Sequence, residues 1–334
     1  MATTFDTSSQ HVLSKKGYAR NRPQARLFGQ LNFGPRFNEG VVTVTRLDAN
    51  AACTKEFSLS YRVYNPSSIH STESPPLVVI HGGPSLPSDY LYPIIQHFPS
   101  SRSIIFYDQL GCGRSSQPKE TTMYSIENAV HDLEELIHSL QLNKFHLLGH
   151  SFGGCVAYEF AKADGLHSSG SKCLSLTLDS TPDNMKTSLE ECSRLEDEVK
   201  RELILEDKES QEASRLVQDR LRRRNECRTE EMPDSLVTAI ENRGTTFGPE
   251  AVAGYVAYPP SSHSLPPVLL IRGQYDFITE KCVQGWRKIF AQDSNPRGNA
   301  YREEEMSNCA HYCHLEDAQS FGELIKSHCF INDY

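Results

Sequence analysis

The sequence predicts an α/β fold: a mostly parallel sheet with helices on both faces and a helical cap inserted between two of its strands. Three observations predict it. Short runs such as Leu77–Ile80 and Ile104–Tyr107 are apolar at every position, as parallel strands buried on both faces require. Helical patterns lie between such runs, and strand–helix alternation builds a parallel sheet. The alternation then breaks between about residues 183 and 262, where the chain is charged, helical in pattern and free of any buried-strand run.

In chain order, residues 1–37 come first. They carry Lys15, Lys16, Arg20, Arg22, Arg26 and Arg36 against a single acid, Asp6. This composition reads as a flexible leader, with an organellar transit peptide as the alternative. Val41–Val44 and Phe57–Val63 read as an antiparallel hairpin. Buried strands follow at Leu77–Ile80, Ile104–Tyr107, Phe145–Leu148, Leu174–Leu178 and Val268–Ile271, with another strand at Ala300–Met306. Between two of them, Ile126–Leu140 sets Val130, Leu133, Leu136 and Ile137 on one helical face. The core is thus expected over 38–182 and 263–334, and the cap over 183–262. The cap's charge, as in Leu195–Leu203, suits a solvated helix face.

The 334 residues suit one large α/β domain or a domain with an insertion. A formal charge of -9 argues against nucleic acid or an anionic membrane as partner. No run approaches the ~18 apolar residues of a membrane span, and no signal-peptide core opens the chain. The 10 cysteines then read as reduced thiols, and a cytoplasmic setting is expected, organellar if the leader directs it there. Cys309-Ala310-His311-Tyr312-Cys313-His314 resembles a metal cluster, but no second Cys/His pair stands at zinc-finger spacing from it. Neither metal nor cofactor is expected.

Gly149-His150-Ser151-Phe152-Gly153 follows the Phe145–Leu148 strand and precedes a helical pattern. A G-x-S-x-G pentapeptide in that context is a nucleophile elbow: the turn strains the serine backbone, and the glycines let strand and helix approach. A serine nucleophile needs a base and an acid that orients it, in the chain order Ser, acid, His. Asp276, just past the Val268–Ile271 strand, and His311, in the loop after Ala300–Met306, fit that order. Asp179, which ends the Leu174–Leu178 strand, is a rival acid. Oxyanion donors are expected from Gly82 or Gly83, in His81-Gly82-Gly83-Pro84, and from Phe152 after the nucleophile.

With these residues the chain resembles the alpha/beta-hydrolase superfamily, and within it the prolyl iminopeptidase family. The matching pieces are His81–Pro84, Asp89-Tyr90-Leu91, Tyr107–Ser115, the Gly149–Gly154 elbow, the Asp276 loop and His311–Asp317. The string Asp108-Gln109-Leu110-Gly111-Cys112-Gly113-Arg114-Ser115 is the most family-specific. The resemblance spans about residues 40–330, firm in the core and loose in the cap. It implies release of an N-terminal residue, usually proline, from short peptides, and acidic cap residues that grip the free α-amine. Glu250 stands one place early against the family's Gly-Pro-Asn-Glu-Phe, and Glu226, Glu230 and Glu231 are further candidates. Ser85 occupies a position where the family has glycine, and few aromatics line the cap beyond Phe247, Tyr255 and Tyr258.

The leading expectation is a serine aminopeptidase acting on short peptides through an acyl-enzyme. The Glu250 offset and Ser85 motivate an alternative, a serine esterase or amidase acting on a small metabolite. The intact Ser, Asp and His set counts against a third class, a silent binding protein on the same fold.

Overall fold

The computed structural model describes residues 37–48, 53–163, 170–203, 211–260, 265–291 and 301–334. The leader call therefore lies outside the described residues, except at Phe37. Eight strands form one sheet: β1 (Phe37–Asp48), β2 (Cys53–Tyr64), β3 (Leu77–Ile80), β4 (Ile104–Tyr107), β5 (Lys144–His150), β6 (Lys172–Asp179), β7 (Val268–Gly273) and β8 (Tyr301–Met306). Their spatial order is β1-β2-β4-β3-β5-β6-β7-β8. β2 pairs antiparallel with β1 and with β4, and every pairing from β4 to β8 is parallel.

Strand chemistry explains this arrangement. Successive side chains point to opposite faces, so a strand apolar throughout feeds two cores. Val78 and Ile80 join one core, which packs under helices α1 (Ile126–Ser139), α2 (Phe152–Ala163) and α6 (Glu280–Ala291). Leu77 and Val79 join the other core, with Phe321 and Ile325 of helix α8 (Ala318–Ile331) and Tyr90, Leu91 and Ile94 of a 3₁₀ stretch, Ser88–His97. The β1–β2 hairpin is buried on one face only, where Val42, Val44 and Leu59 lie, and it leaves Val41 and Leu47 exposed. Helix α1 starts at Ser125, whose hydroxyl accepts the Asn128 N–H at 3.1 Å.

Between β6 and β7 come α3 (Met185–Leu203), α4 (Gln211–Leu221) and α5 (Asp234–Glu241). Leu195 and Val199 of α3 meet Val217 and Leu221 of α4 in a small core of their own. A short helix, α7 (Cys313–Glu316), precedes α8. The chain leaves β3 for β4 on one side and then crosses to β5 on the other. Such a reversal opens a crevice at the carboxyl ends of the strands, and the loops after β3 and β5 border it.

The chain's last turn is locked from inside. Arg102 Nη2 donates to both Asp333 carboxylate oxygens at 2.9 and 2.8 Å, and His146 Nε2 lies 3.0 Å from Oδ1. All three residues are buried, so removing the carboxylate strands the guanidinium without its counter-charge. That loss costs ~3–5 kcal/mol for buried pairs. Asp333→Ala should lower the unfolding free energy in urea by about that much, whereas Tyr334→Ala, at an exposed position, should stay within about 0.5 kcal/mol.

Candidate active site

The loop after β5 is shaped by collisions. A Cβ on Gly153 would strike the Ile80 carbonyl at the end of β3, so α2 approaches the sheet only because that Cβ is missing. Ser151 sits in the left-handed region with φ 54°, and its N–H donates to the Asp179 carbonyl at 2.7 Å. Both features fix the serine at the strand tip in a backbone state a non-glycine residue rarely adopts. Phe152 opens α2, so its N–H belongs to the helix turn that has no intrahelical acceptor.

The loop after β3 lies against this tip: a Cβ on Gly82 would come within 2.8 Å of the Ser151 Cβ. Each polar group of Gly82 is held. Its N–H donates to the Tyr90 hydroxyl at 2.8 Å, and its carbonyl lies 2.9 Å from His81 Nδ1. The Gln109 N–H donates to His81 Nε2 at 2.8 Å, so Nδ1 carries the proton and donates to Gly82. Gly82's own N–H is therefore committed, which removes it from the expected oxyanion donors. Peptide planarity aims the Gly83 N–H opposite to the tethered Gly82 carbonyl.

Tyr90 continues the chain of bonds. Its oxygen accepts from Gly82 and stands 2.8 Å from His150 Nδ1, while His150 Nε2 lies 2.9 Å from the His311 carbonyl. Only one assignment satisfies every group: Tyr90 donates to Nδ1, and Nε2–H donates to His311. Burial, with His311 and His314 nearby, pushes the His150 pKa well below the usual histidine value, so this neutral tautomer persists.

The loop after β4 is organised by Asp108, which accounts for the specific Asp-Gln-Leu-Gly-Cys-Gly-Arg-Ser string. Asp108 Oδ1 accepts from the Ser88 N–H and hydroxyl at 3.0 and 2.7 Å, and Oδ2 accepts from the Arg114 N–H at 3.0 Å. Arg114 Nη2 reaches Asp89 at 3.2 Å. These bonds anchor the start of the segment that carries Tyr90.

Asp276 and His311 come from the loops after β7 and β8. His311 Nδ1 lies 2.9 Å from Asp276 Oδ1, which also accepts the Ile278 N–H at 2.8 Å. Both residues are buried. Burial would lower the His311 pKa, but the charge and hydrogen bond of Asp276 outweigh it and the pKa is raised. The Phe277 ring packs 4.1 Å from the imidazole, and the His150 ring, next to Ser151, lies 4.7 Å away. The rival acid Asp179 makes no hydrogen bond to His311 among the described residues. His314 Nδ1 lies 3.7 Å from Asp179 Oδ2, but burial lowers the His314 pKa to about 3 and keeps that imidazole neutral, and burial pushes the Asp179 pKa well up.

His150, Asp179 and His314 bring ligand-capable atoms within 4.8 Å of one another. Both His150 nitrogens are already engaged, which leaves two donors where protein metal centres use three or four. The Cys309–His314 string does not gather around one point: Cys309 and Cys313 meet each other in the apolar core, and His311 turns to Asp276.

The segment between β6 and β7 meets this site through a π-helical turn, Arg222–Glu226. The Glu226 carbonyl accepts the His311 N–H at 3.0 Å, and the Asn225 carbonyl accepts the Phe277 N–H at 3.2 Å. The Glu226 charge contributes to raising both His311 and Tyr312. Glu230, Glu231 and Glu250 are exposed, whereas Glu226 is half-buried. No helix among the described residues is long and apolar enough to cross a membrane.

Residues 75–318 match the family described as alpha/beta hydrolase fold. Curated proline iminopeptidases are similar over shorter stretches. That of Saccharolobus solfataricus is 45% identical over 86 residues, 25% of this chain and 28% of its own length. That of Heyndrickxia coagulans is 38% identical over 107 residues, 31% of this chain and 37% of its own length. The matched stretches thus span well under half of these relatives. Among solved structures, proline iminopeptidase of Mycobacterium smegmatis superposes with a TM-score of 0.68 at 20% identity, covering 89% of this chain and 99% of that one. A putative aryl esterase of Burkholderia cenocepacia gives 0.61 at 17% identity, with 88% and 99% covered. Fold, strand order and the matched span agree, and the chain belongs to the alpha/beta hydrolase fold family.

Proposed function

We propose that this protein is a serine aminopeptidase that releases an N-terminal residue, proline by likeness to its relatives, from short peptides. The observation that carries the proposal is the buried Asp276–His311 pair at 2.9 Å beside the strained Ser151 turn. Asp276 holds the Nδ1 proton and leaves the Nε2 lone pair as base. His311 takes the Ser151 hydroxyl proton as Oγ attacks the carbonyl carbon of the first residue. Gly83 and Phe152 N–H groups receive the developing oxyanion, each worth ~3 kcal/mol by analogy with other oxyanion donors. The intermediate collapses, the C–N bond breaks, and His311 returns the proton to the departing amine. Water, deprotonated by His311, then releases the acyl group from Ser151.

In this reading residues 183–262 form a cap whose acidic side closes over the substrate's amino terminus. Glu226 is the cap carboxylate that grips the α-amine, because it alone among the four candidates is half-buried and acts on His311. A cation held there allows only a chain end into the site, so internal peptide bonds are excluded.

The test compares a prolyl arylamide with its N-acetylated twin. The free-amine substrate alone should turn over, and Ser151→Ala should abolish turnover without loss of folding. Preference for the blocked compound, or turnover of N-blocked esters alone, would instead support an esterase or amidase.

The raised His311 pKa sets the acid limb of the pH profile. His311 acts as base only when neutral, so kcat/KM should rise with pH through a midpoint above the usual histidine value. Asp276→Asn removes the group that raises it. The midpoint should move to lower pH, and kcat should fall by ~10⁴ through loss of the working tautomer.

A further inference from the structure

Ser85 follows the Gly82–Gly83 loop, and its geometry is unlike that of a passive loop residue. It is buried, and its φ of 69° lies in the left-handed region that favours glycine. A Cβ is therefore kept where the backbone disfavours one, which calls for a contact that glycine could not make. The structure supplies it. Ser85 Oγ lies 2.5 Å from the Phe247 carbonyl, 162 positions away, and 2.6 Å from the Pro84 carbonyl. Its own carbonyl accepts the Gly244 N–H at 3.0 Å. One residue thus brackets the 244–247 turn from both ends.

That turn is pressed against the core nearby. A Cβ on Gly244 would strike the Gly111 carbonyl, and the Gly113 N–H donates to the Asn242 carbonyl at 3.2 Å. Phe247 itself is buried, stacks on Tyr124 at 5.0 Å and meets Phe152 edge-on at 5.6 Å. Phe152 is both the residue after the nucleophile and one of the N–H groups assigned to the oxyanion.

The geometry points to Ser85 as a latch between the Gly82–Gly83 loop and the Phe247 turn, and so to a positioning residue that sets how large an acyl group the site accepts. Its hydroxyl fixes the Phe247 carbonyl, the Phe247 ring then stands against Phe152, and the wall of the acyl pocket is held at one depth. Without the hydroxyl the Phe247 carbonyl loses its tie to the Gly82–Gly83 loop, and the Phe247 ring is positioned by its packing on Tyr124 and Phe152 rather than by that loop. The latch uses the site of the proposed serine hydrolase but does not depend on its preference for a free amine.

Two variants separate latch from scaffold. Ser85→Ala loses the hydroxyl and keeps the strained Cβ. Ser85→Gly loses the hydroxyl and relieves the strain, so it should melt at or above the wild-type temperature. Each is assayed on the prolyl arylamide and on p-nitrophenyl esters of increasing acyl length, with fluorophosphonate labelling to count active sites. Both variants should raise KM for the prolyl arylamide about fivefold or more with a smaller change in kcat, and should flatten the dependence on acyl length. Two results would overturn the latch: acyl-length selectivity unchanged in both variants, or an equal loss on every substrate, which would place Ser85 in the oxyanion loop alone. If the wild type cleaves no free-amine substrate, the aminopeptidase proposal fails, and the ester series still decides the latch.

Discussion

A single line of hydrogen bonds runs from Gly82 through Tyr90 and His150 to His311. It joins three loops that sequence separates widely, and every group in it has one direction only. Gly82 can only donate, so Tyr90 accepts there and must donate onward; His150 Nδ1 must accept, so Nε2 must donate to the His311 carbonyl. Protonating His150 Nδ1 would leave the Tyr90 O–H facing another donor, without its acceptor. Tyr90 and His150 are fully buried, so such a conflict could not be relieved by water. The line fixes Gly82, and with the His81 bond to its carbonyl it fixes the direction of the neighbouring Gly83 N–H.

The helices between β6 and β7 help hold these loops. The Glu226 and Asn225 carbonyls bind N–H groups of His311 and Phe277, one from each of the loops after β8 and β7. Glu191 of α3 accepts from Thr279 Oγ1 at 3.0 Å and Lys281 Nζ at 3.2 Å, just past the acid loop. The strained Ser151 turn is held mainly by core contacts, while the Asp276 and His311 loops lean on the inserted helices. A substitution in α3 or in the π-helical turn could therefore disturb the base while leaving the nucleophile in place.

The sequence made the parallel strands legible for a physical reason: burial on both faces leaves runs such as Leu77–Ile80 and Ile104–Tyr107 with no polar position, and their observed bounds match. The hairpin is longer than Val41–Val44 and Phe57–Val63 because its solvent face carries polar residues that hide strand character. At the site, Ser151, Asp276 and His311 could be named because each follows a strand. Asp179 stayed a rival to Asp276 in the sequence because it too comes at a strand end in the same chain order; in the structure it is Asp276 that hydrogen-bonds the imidazole. The commitment of Gly82 was illegible because Tyr90 reaches it from a 3₁₀ stretch with no sequence signature for that bond. That Glu226 is half-buried while Glu250 is exposed was illegible because Glu226 ends a π-helical turn, whose wider spacing departs from the helical repeat.

His150, which precedes Ser151, and His311 differ by environment. His150 and His311 lie 4.7 Å apart, and their pKa values are pushed in opposite directions. Burial among like groups holds His150 neutral, whereas Asp276 draws a proton toward His311. Each protonation of His311 repels a charge on His150, which strengthens the neutral state that the hydrogen-bond line needs. As pH falls, the proposed base His311 is therefore protonated before the line that holds its backbone is touched. The site switches off by filling one lone pair, with its architecture intact, so activity should return on raising the pH without any refolding step.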